Sequence, residues 1–269
     1  MPTVNDVFEF LNSFAPVEMK MDTDNVGFLV GFGKSPASKI LVSLDITNDV
    51  ISEALDNGAD LIVSHHPLFF SLKSVTDADP IGEKVARLLK GGVSAICMHT
   101  NLDAARGGVN DALAAAVGIA NGDEGINAEL LAEGGRLPTG EAFSYGRFGY
   151  LKNPCSMPEY LEMLKKALRT NGLRYYDAGC EVHKVAVVGG SGGDMFDQAV
   201  KNGCDTFVTA DIKYHVFLQA KELGVNLIDG DHFCTENVVT GVLADKLRKA
   251  FPDANVAISK RHEQTVRFF

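Results

Sequence analysis

"KILVSLDITNDVISEALDNGADLIVSHH", residues 39–66, carries the architecture of the chain. The apolar run over 39–45 reads as a strand. "NDVISEALDNG" reads as a helix, closed by the Asn57-Gly58 pair, and "DLIVS" reads as a second strand. Both strands are apolar throughout rather than alternating, the pattern of parallel strands covered on both faces. A helix is expected over residues 3–14 before this unit. A helix at "IGEKVARLLKGG" and a strand at "VSAICMH" are expected after it.

The unit reads as written twice, with chance similarity among strand-helix-strand units, which share apolar runs and Asn-Gly stops, as the alternative. "NDVISEALDNGADLIVS" (48–64) aligns with "GDMFDQAVKNGCDTFVT" (193–209): Asp49 with Asp194, Ala54 with Ala199, Asn57-Gly58 with Asn202-Gly203, Asp60 with Asp205 and Val63 with Val208. The offset is constant, since 194 minus 49 is 145, and at that offset "KILVSLD" overlies "KVAVVGG". A further echo pairs His99-x-x-x-Asp103 with His232-x-x-x-Glu236, each after a short apolar strand. The fold class expected is α/β, with two related halves whose mostly parallel, helix-covered sheets face a shared metal-containing crevice. A glycine-rich stretch places the boundary near residue 125. The halves are then 1–125 and 126–269, with the segment from about 228 expected to pack back onto the first half. In the second half, "SMPEYLEMLKKALRTNG" reads as a helix with Ser156 as N-cap and Gly172 as stop.

Composition excludes several classes. With 46% hydrophobic and 22% charged residues the chain is a globular folder rather than a disordered one. No apolar run reaches the roughly 20 residues of a membrane span, and the N-terminal stretch lacks the basic and apolar regions of a signal peptide, so the cytoplasm is the expected compartment. The five cysteines are odd in number, widely spread and without Cys-x-x-Cys, which argues for reduced thiols rather than a disulfide framework or a zinc knuckle. A formal charge of -10 opposes non-specific nucleic-acid binding, which needs a clustered basic face.

Candidate chemistry sits where strands end. His65 and His66 would point to opposite faces of a regular strand, but Pro67 stops the ladder. In the turn both rings can look into one crevice, one histidine for each of two metal ions; helix capping or burial in the core is the competing reading. Asp103 in "HTNLDAARGG", with His232 and Glu236 spaced i, i+4 in "DHFCTE", adds carboxylate and imidazole donors. Such a mixed N and O set suits zinc, iron, manganese, cobalt or nickel. Paired hydrolytic metals share a bridging carboxylate, and Glu236 is the preferred bridge with Asp103 the competitor. His99 shares its strand end with Asp103; orienting a ligand or a bound water is preferred to direct ligation, and His99 is also a catalytic candidate for moving protons. His215 in "DIKYH" is a candidate proton shuttle, with an exposed helix histidine the alternative. His183 and His262 lie in polar, turn-like contexts and are expected to be solvated. "VAVVGGSGGD" (185–194) occupies the place of a phosphate-binding turn but lacks both the G-x-G-x-x-G spacing and a Walker lysine; tight-turn glycines are the simpler reading.

"DNVGFLVG", "SHHPLFF", "HTNLDAARGGVNDALA", "GRFG", "GGSGGD", "DIKYH" and "GDHFCTE", in that order across nearly the whole chain, resemble the Nif-three-like family, dinuclear-metal-centre hexameric proteins often labelled GTP cyclohydrolase I type 2. The resemblance implies two α/β domains, a toroidal homohexamer and two divalent metal ions per chain. The family's ligands fall on His65, His66, Asp103, His232 and Glu236. The chain departs from the family's pattern at Ala210, where glycine is common, and at Gly230-Asp231, where alanine-glycine is common. Asp231 could thereby tune the setting of His232. The chain also lacks the inserted domain of some bacterial members. A metal-dependent hydrolase of a nucleotide or similar phosphorylated small molecule is the expected function, with a non-enzymatic metal-binding scaffold, carrier or regulator as the alternative.

Overall fold

The computed structural model describes residues 1–119 and 128–269, together with the backbone of strands Asn121–Gly122 and Gly125–Ile126. The chain divides into two compact units. Unit 1 is Met1–Ala105 with Thr240–Glu263, and unit 2 is Arg106–Val239 with Gln264–Phe269.

Unit 1 opens with α1 (Val4–Phe14), whose N-cap Thr3 forms a capping box with Asp6. The strands that follow are β1 (Gly27–Val30), β2 (Lys39–Ser43), β3 (Leu61–Ser64) and β4 (Ser94–Cys97). Between them run α2 (Asn48–Asn57) and α3 (Pro80–Gly91), and α4 (Thr100–Ala104) closes the stretch. Thr47 caps α2 by accepting from the Val50 amide, and Gly58 stops it at φ 61, the left-handed conformation for which glycine is suited. One face of α2 buries Val50, Ile51 and Ala54 against Leu41 and Ile62 of the sheet. Burial of such Val, Leu and Ile side chains contributes about 1.5–3 kcal/mol each.

Unit 2 begins with α5 (Val109–Ala116) and two short hairpins, β5 (Asn121–Gly122) with β6 (Gly125–Ile126) and β8 (Gly135–Arg136) with β9 (Ala142–Phe143). Between the hairpins lies β7 (Glu129–Leu130). Then come β10 (Arg147–Cys155), α6 (Met157–Ala167), β11 (Arg174–Tyr176), β12 (Val182–Ser191), α7 (Phe196–Lys201) and β13 (Thr206–Ala210). The unit is completed by α8 (Tyr214–Leu223), β14 (Asn226–Asp229) and α9 (His232–Glu236). The chain runs through α10 (Val238–Ala250) into unit 1, where β15 (Asn255–Ile258) is laid down.

Each unit carries a mixed sheet with a parallel centre. In unit 1 the order is β1-β4-β3-β2-β15, parallel except for the antiparallel β1 edge. In unit 2 the order is β11-β14-β13-β12-β10-β7, where only β14-β13-β12 is parallel. The apolar run of β3 occupies a central strand buried on both faces, as the sequence pattern required, and β13, which carries Thr206 and Thr209, is buried throughout as well.

The sequence repeat is a structural repeat down to single hydrogen bonds. Ile40 pairs with Leu61 and Val42 with Val63; at the offset of 145, Val185 pairs with Thr206 and Val187 with Val208. Asp60 accepts from the amides of Ser38 (2.8 Å) and Lys39 (2.9 Å), as Asp205 accepts from those of His183 (3.1 Å) and Lys184 (2.7 Å). Lys39 Nζ donates to the Asn57 carbonyl, and Lys184 Nζ to that of Asn202. His66 therefore has Asp211 as its counterpart.

The limits of the units differ from the halves 1–125 and 126–269. The stretch around residue 125 includes residues 120, 123, 124 and 127, which lie outside the described ones. Leu113, Ala114 and Val117 of the α5 region belong to the core of unit 2, which draws the division back to Ala105. At the other end the return to unit 1 starts at Thr240 rather than near 228, because β14 pairs with β13 inside unit 2 while β15 pairs with β2.

Candidate functional site

In unit 1 the main-chain amides of His65 and His66 both donate to the Leu44 carbonyl, at 3.2 and 2.8 Å, so the chain turns out of the ladder just past β3. The turn brings the two rings to one place, with centroids 4.9 Å apart. His99, the N-cap of α4, completes a cluster in which one ring nitrogen from each of His65, His66 and His99 lies within 4.8 Å of the others.

Every one of these rings is held from behind by an acceptor. His65 Nδ1 meets the Met98 carbonyl at 2.9 Å, His66 Nδ1 meets Asp45 Oδ1 at 2.8 Å, and His99 Nδ1 meets Asp24 Oδ1 at 2.8 Å. A carbonyl or ionised carboxylate only accepts, so each neutral imidazole carries its proton on Nδ1 and presents the Nε2 lone pair. Burial alone would raise the Asp24 carboxyl. Bonds from His99 and from the Thr100 hydroxyl and amide outweigh it and hold Asp24 well below the usual carboxylate range. Asp103 on α4 brings Oδ1 to 3.6 Å from His65 Nε2.

Asp45 uses both oxygens, because His262 Nε2 lies 2.8 Å from Oδ2. His262 is thus not the solvated residue expected from its context, for its side chain is only 9% exposed. The tail beyond β15 brings it there. Glu53 of α2 accepts from the Ser259 hydroxyl and from the amides of Lys260 and Arg261, which carries residue 262 to Asp45.

In unit 2 the donors are His232 and Glu236. The i, i+4 spacing on α9 places His232 Nε2 3.1 Å from Glu236 Oε2, while Nδ1 meets Asp211 Oδ2 at 2.6 Å. The Glu236 bond, opposed by burial and helped by Asp211, pushes His232 up to about 9. Asp211 holds its place in the left-handed region at φ 52, a conformation uncommon outside glycine but tolerated by Asp. Asp231 is the N-cap of α9. Its carboxylate caps α9 through the Cys234 amide and accepts from Gln264.

Glycines of the "GGSGGD" stretch serve close approach. Gly190 has φ 63, and a Cβ there would overlap Glu236 Oε1; a Cβ at Gly192 would overlap Thr209 Oγ1. His215 is exposed on α8, and the metal-competent donor groups among the described residues do not include it. Sequence reasoning missed Asp24, Asp45 and Asp211. Asp45 and Asp211 follow the carboxyl ends of β2 and β13, where ligands gather in open α/β sheets, and that position was the available signal.

The donor chemistry fits divalent cations. An ion about 2.0–2.2 Å from both an imidazole nitrogen and a carboxylate oxygen sets those atoms roughly 3–3.5 Å apart. The His232–Glu236 distance of 3.1 Å falls in that range and the His65–Asp103 distance of 3.6 Å lies just beyond it.

The model of the Duf34/NIF3 (NGG1p interacting factor 3) family matches residues 2–265. A Clostridium perfringens protein named GTP cyclohydrolase 1 type 2 homolog is 34% identical over 268 residues, 98% of this chain and 99% of its own. A Clostridium acetobutylicum protein of the same name is 32% identical over 249 residues, covering 92% of this chain and 90% of its own. Among solved structures, the Staphylococcus aureus hypothetical protein SA1388 superposes with a TM-score of 0.90 at 27% identity, over 100% of both chains.

Proposed function

The chain belongs to the Duf34/NIF3 family, and from that premise we propose that it binds two divalent metal ions through His65, His66, Asp103, His232 and Glu236 and hydrolyses a nucleotide or related phosphorylated small molecule. One observation carries the reading: in each unit the candidate imidazoles are anchored at Nδ1 by an acceptor, so Nε2 is the nitrogen a metal would take, at His232 in place of a proton. The relatives' name, GTP cyclohydrolase 1 type 2 homolog, supports the substrate class.

A divalent pair supplies Lewis-acid activation of water and of a phosphoryl or carbonyl oxygen. Around it, Asp24 orients His99 so that Nε2 can take up or release a proton beside His65 and His66. His215 is the second proton carrier in this reading. Asp103 and Glu236 bring negative charge to buried or half-buried positions, which favours cations over neutral ligands. The homohexamer implied by the resemblance belongs to the same proposal. No helix among the described residues is long and apolar enough to cross a membrane.

The experiment is metal analysis of the protein purified without added metal, followed by a screen of the reconstituted protein against nucleoside triphosphates and generic phosphoesters, beside Asp103→Ala and Glu236→Ala. Turnover above the variant background supports the hydrolase. Metal uptake without turnover on any substrate replaces it with a metal-binding scaffold, and absence of metal uptake rejects the proposal.

A further inference from the structure

We infer that His262 and Glu53 are positioning residues for His66, acting through Asp45, so that the C-terminal strand and tail set the orientation of a candidate metal ligand. The geometry stands on hydrogen bonds inside unit 1, and the consequence for metal binding rests on the function proposed above.

The chain of contacts is continuous. His66 Nδ1 bonds one oxygen of Asp45 and His262 Nε2 bonds the other, each at 2.8 Å. The Asp45 side chain is 39% exposed, so packing does little to fix it. A carboxylate tied through one oxygen can pivot about its Cβ–Cγ bond, whereas a carboxylate bonded through both cannot rotate without breaking one of them. His262 is therefore the fixed point against which His66 is aligned.

His262 in turn is placed by its approach. β15 pairs with β2 from Asn255 to Ile258, and the chain then meets Glu53. This buried carboxylate accepts from Ser259 Oγ at 2.5 Å, Lys260 N at 3.0 Å and Arg261 N at 3.1 Å. Arg261 adds an ion pair to Asp56, one turn along α2, at 2.7 Å. The amide bonds fix the backbone of Lys260 and Arg261 immediately before His262, and the hydroxyl and guanidinium bonds hold the side chains of Ser259 and Arg261. Through these bonds Glu53 sets where His262 lies, and through Asp45 the orientation of His66.

The relay is tested in the full-length, metal-free, nitrogen-15-labelled chain at about pH 8, where an ordinary imidazole is neutral. Long-range proton–nitrogen correlation spectra report which nitrogen of His66 is protonated. The wild type is expected to show the Nδ1-protonated form. His262→Leu and Glu53→Gln are expected to move His66 toward a mixture of tautomers and to weaken cobalt(II) binding at least about tenfold, the usual effect of losing a partner behind a ligand. His262→Gln, whose amide can still donate to Asp45, is expected to retain the wild-type signature. Ser259→Ala, which removes a single donor to Glu53, is carried alongside in case Glu53→Gln does not fold. A merely stabilising role would lower the melting temperature of these variants without changing the tautomer. A folded His262→Leu protein with the wild-type signature overturns the inference, and the same result in Glu53→Gln removes Glu53 from it. Should the wild type take up no cobalt, the metal-binding reading fails, while the tautomer shift still reports on the relay.

Discussion

His232 stands between two carboxylates, with Nδ1 2.6 Å from Asp211 and Nε2 3.1 Å from Glu236. One bond orients the ring and the other occupies the atom a metal would take. In the metal-free protein a proton holds the second contact together, and this is why the imidazole is pushed up to about 9.

The first prediction follows from that proton. A histidine raised in the folded state contributes stability that is fully present below its unfolded value of about 6.5 and is lost as pH rises through the folded value. Urea unfolding of the metal-free protein should therefore show stability falling between pH 7 and pH 10. His232→Gln should flatten that part of the profile. An identical slope in the variant would contradict the assignment.

Metal should compete with the same proton. Binding of zinc or cobalt near pH 7 is expected to release about one proton attributable to His232, read by calorimetry in buffers of different ionisation enthalpy. Saturating metal should also raise the melting temperature, because the folded state alone offers the oriented donors. No proton release in the wild type would remove His232 from the ligand set.

Gly190 is expected to be intolerant of a side chain. At φ 63 and against Glu236 Oε1, Gly190→Ala combines backbone strain with overlap, and about 1–3 kcal/mol of stability should be lost. Metal affinity should fall with it, since Glu236 must move. Denaturation and metal titration of the same variant measure both effects, whereas Gly193→Ala, whose Cβ meets only Val216 at 4.0 Å, should change neither appreciably.

Asp60 and Asp205 should behave as a matched pair. Each ties two successive amides at the entrance to the first strand of its repeat, and Asp60→Ala and Asp205→Ala should each cost about 1–3 kcal/mol. A large loss at one position with none at the other would break the equivalence of the two units.

Local chemistry was enough to read much of this protein from its residues. Apolar runs too uniform for a half-exposed strand marked the buried strands, Asn-Gly and Gly stops marked the helix ends, and the constant offset of 145 exposed two copies of one strand-helix-strand unit. The candidate donors were legible because imidazoles and carboxylates after apolar runs have few other reasons to gather there. The hydrogen-bond partners of those donors were not legible. Asp24 lies 75 positions from His99, Asp45 lies 21 from His66 and 217 from His262, and Glu53 lies 206 from Ser259. Sequence spacing carries no information about such pairs, because a carboxylate on one strand end meets an imidazole from another only after the sheet has set their order and register. Residue type and periodicity determined the elements and the donor atoms; tertiary packing alone decided which nitrogen each histidine presents, since that depends on the acceptor standing behind it.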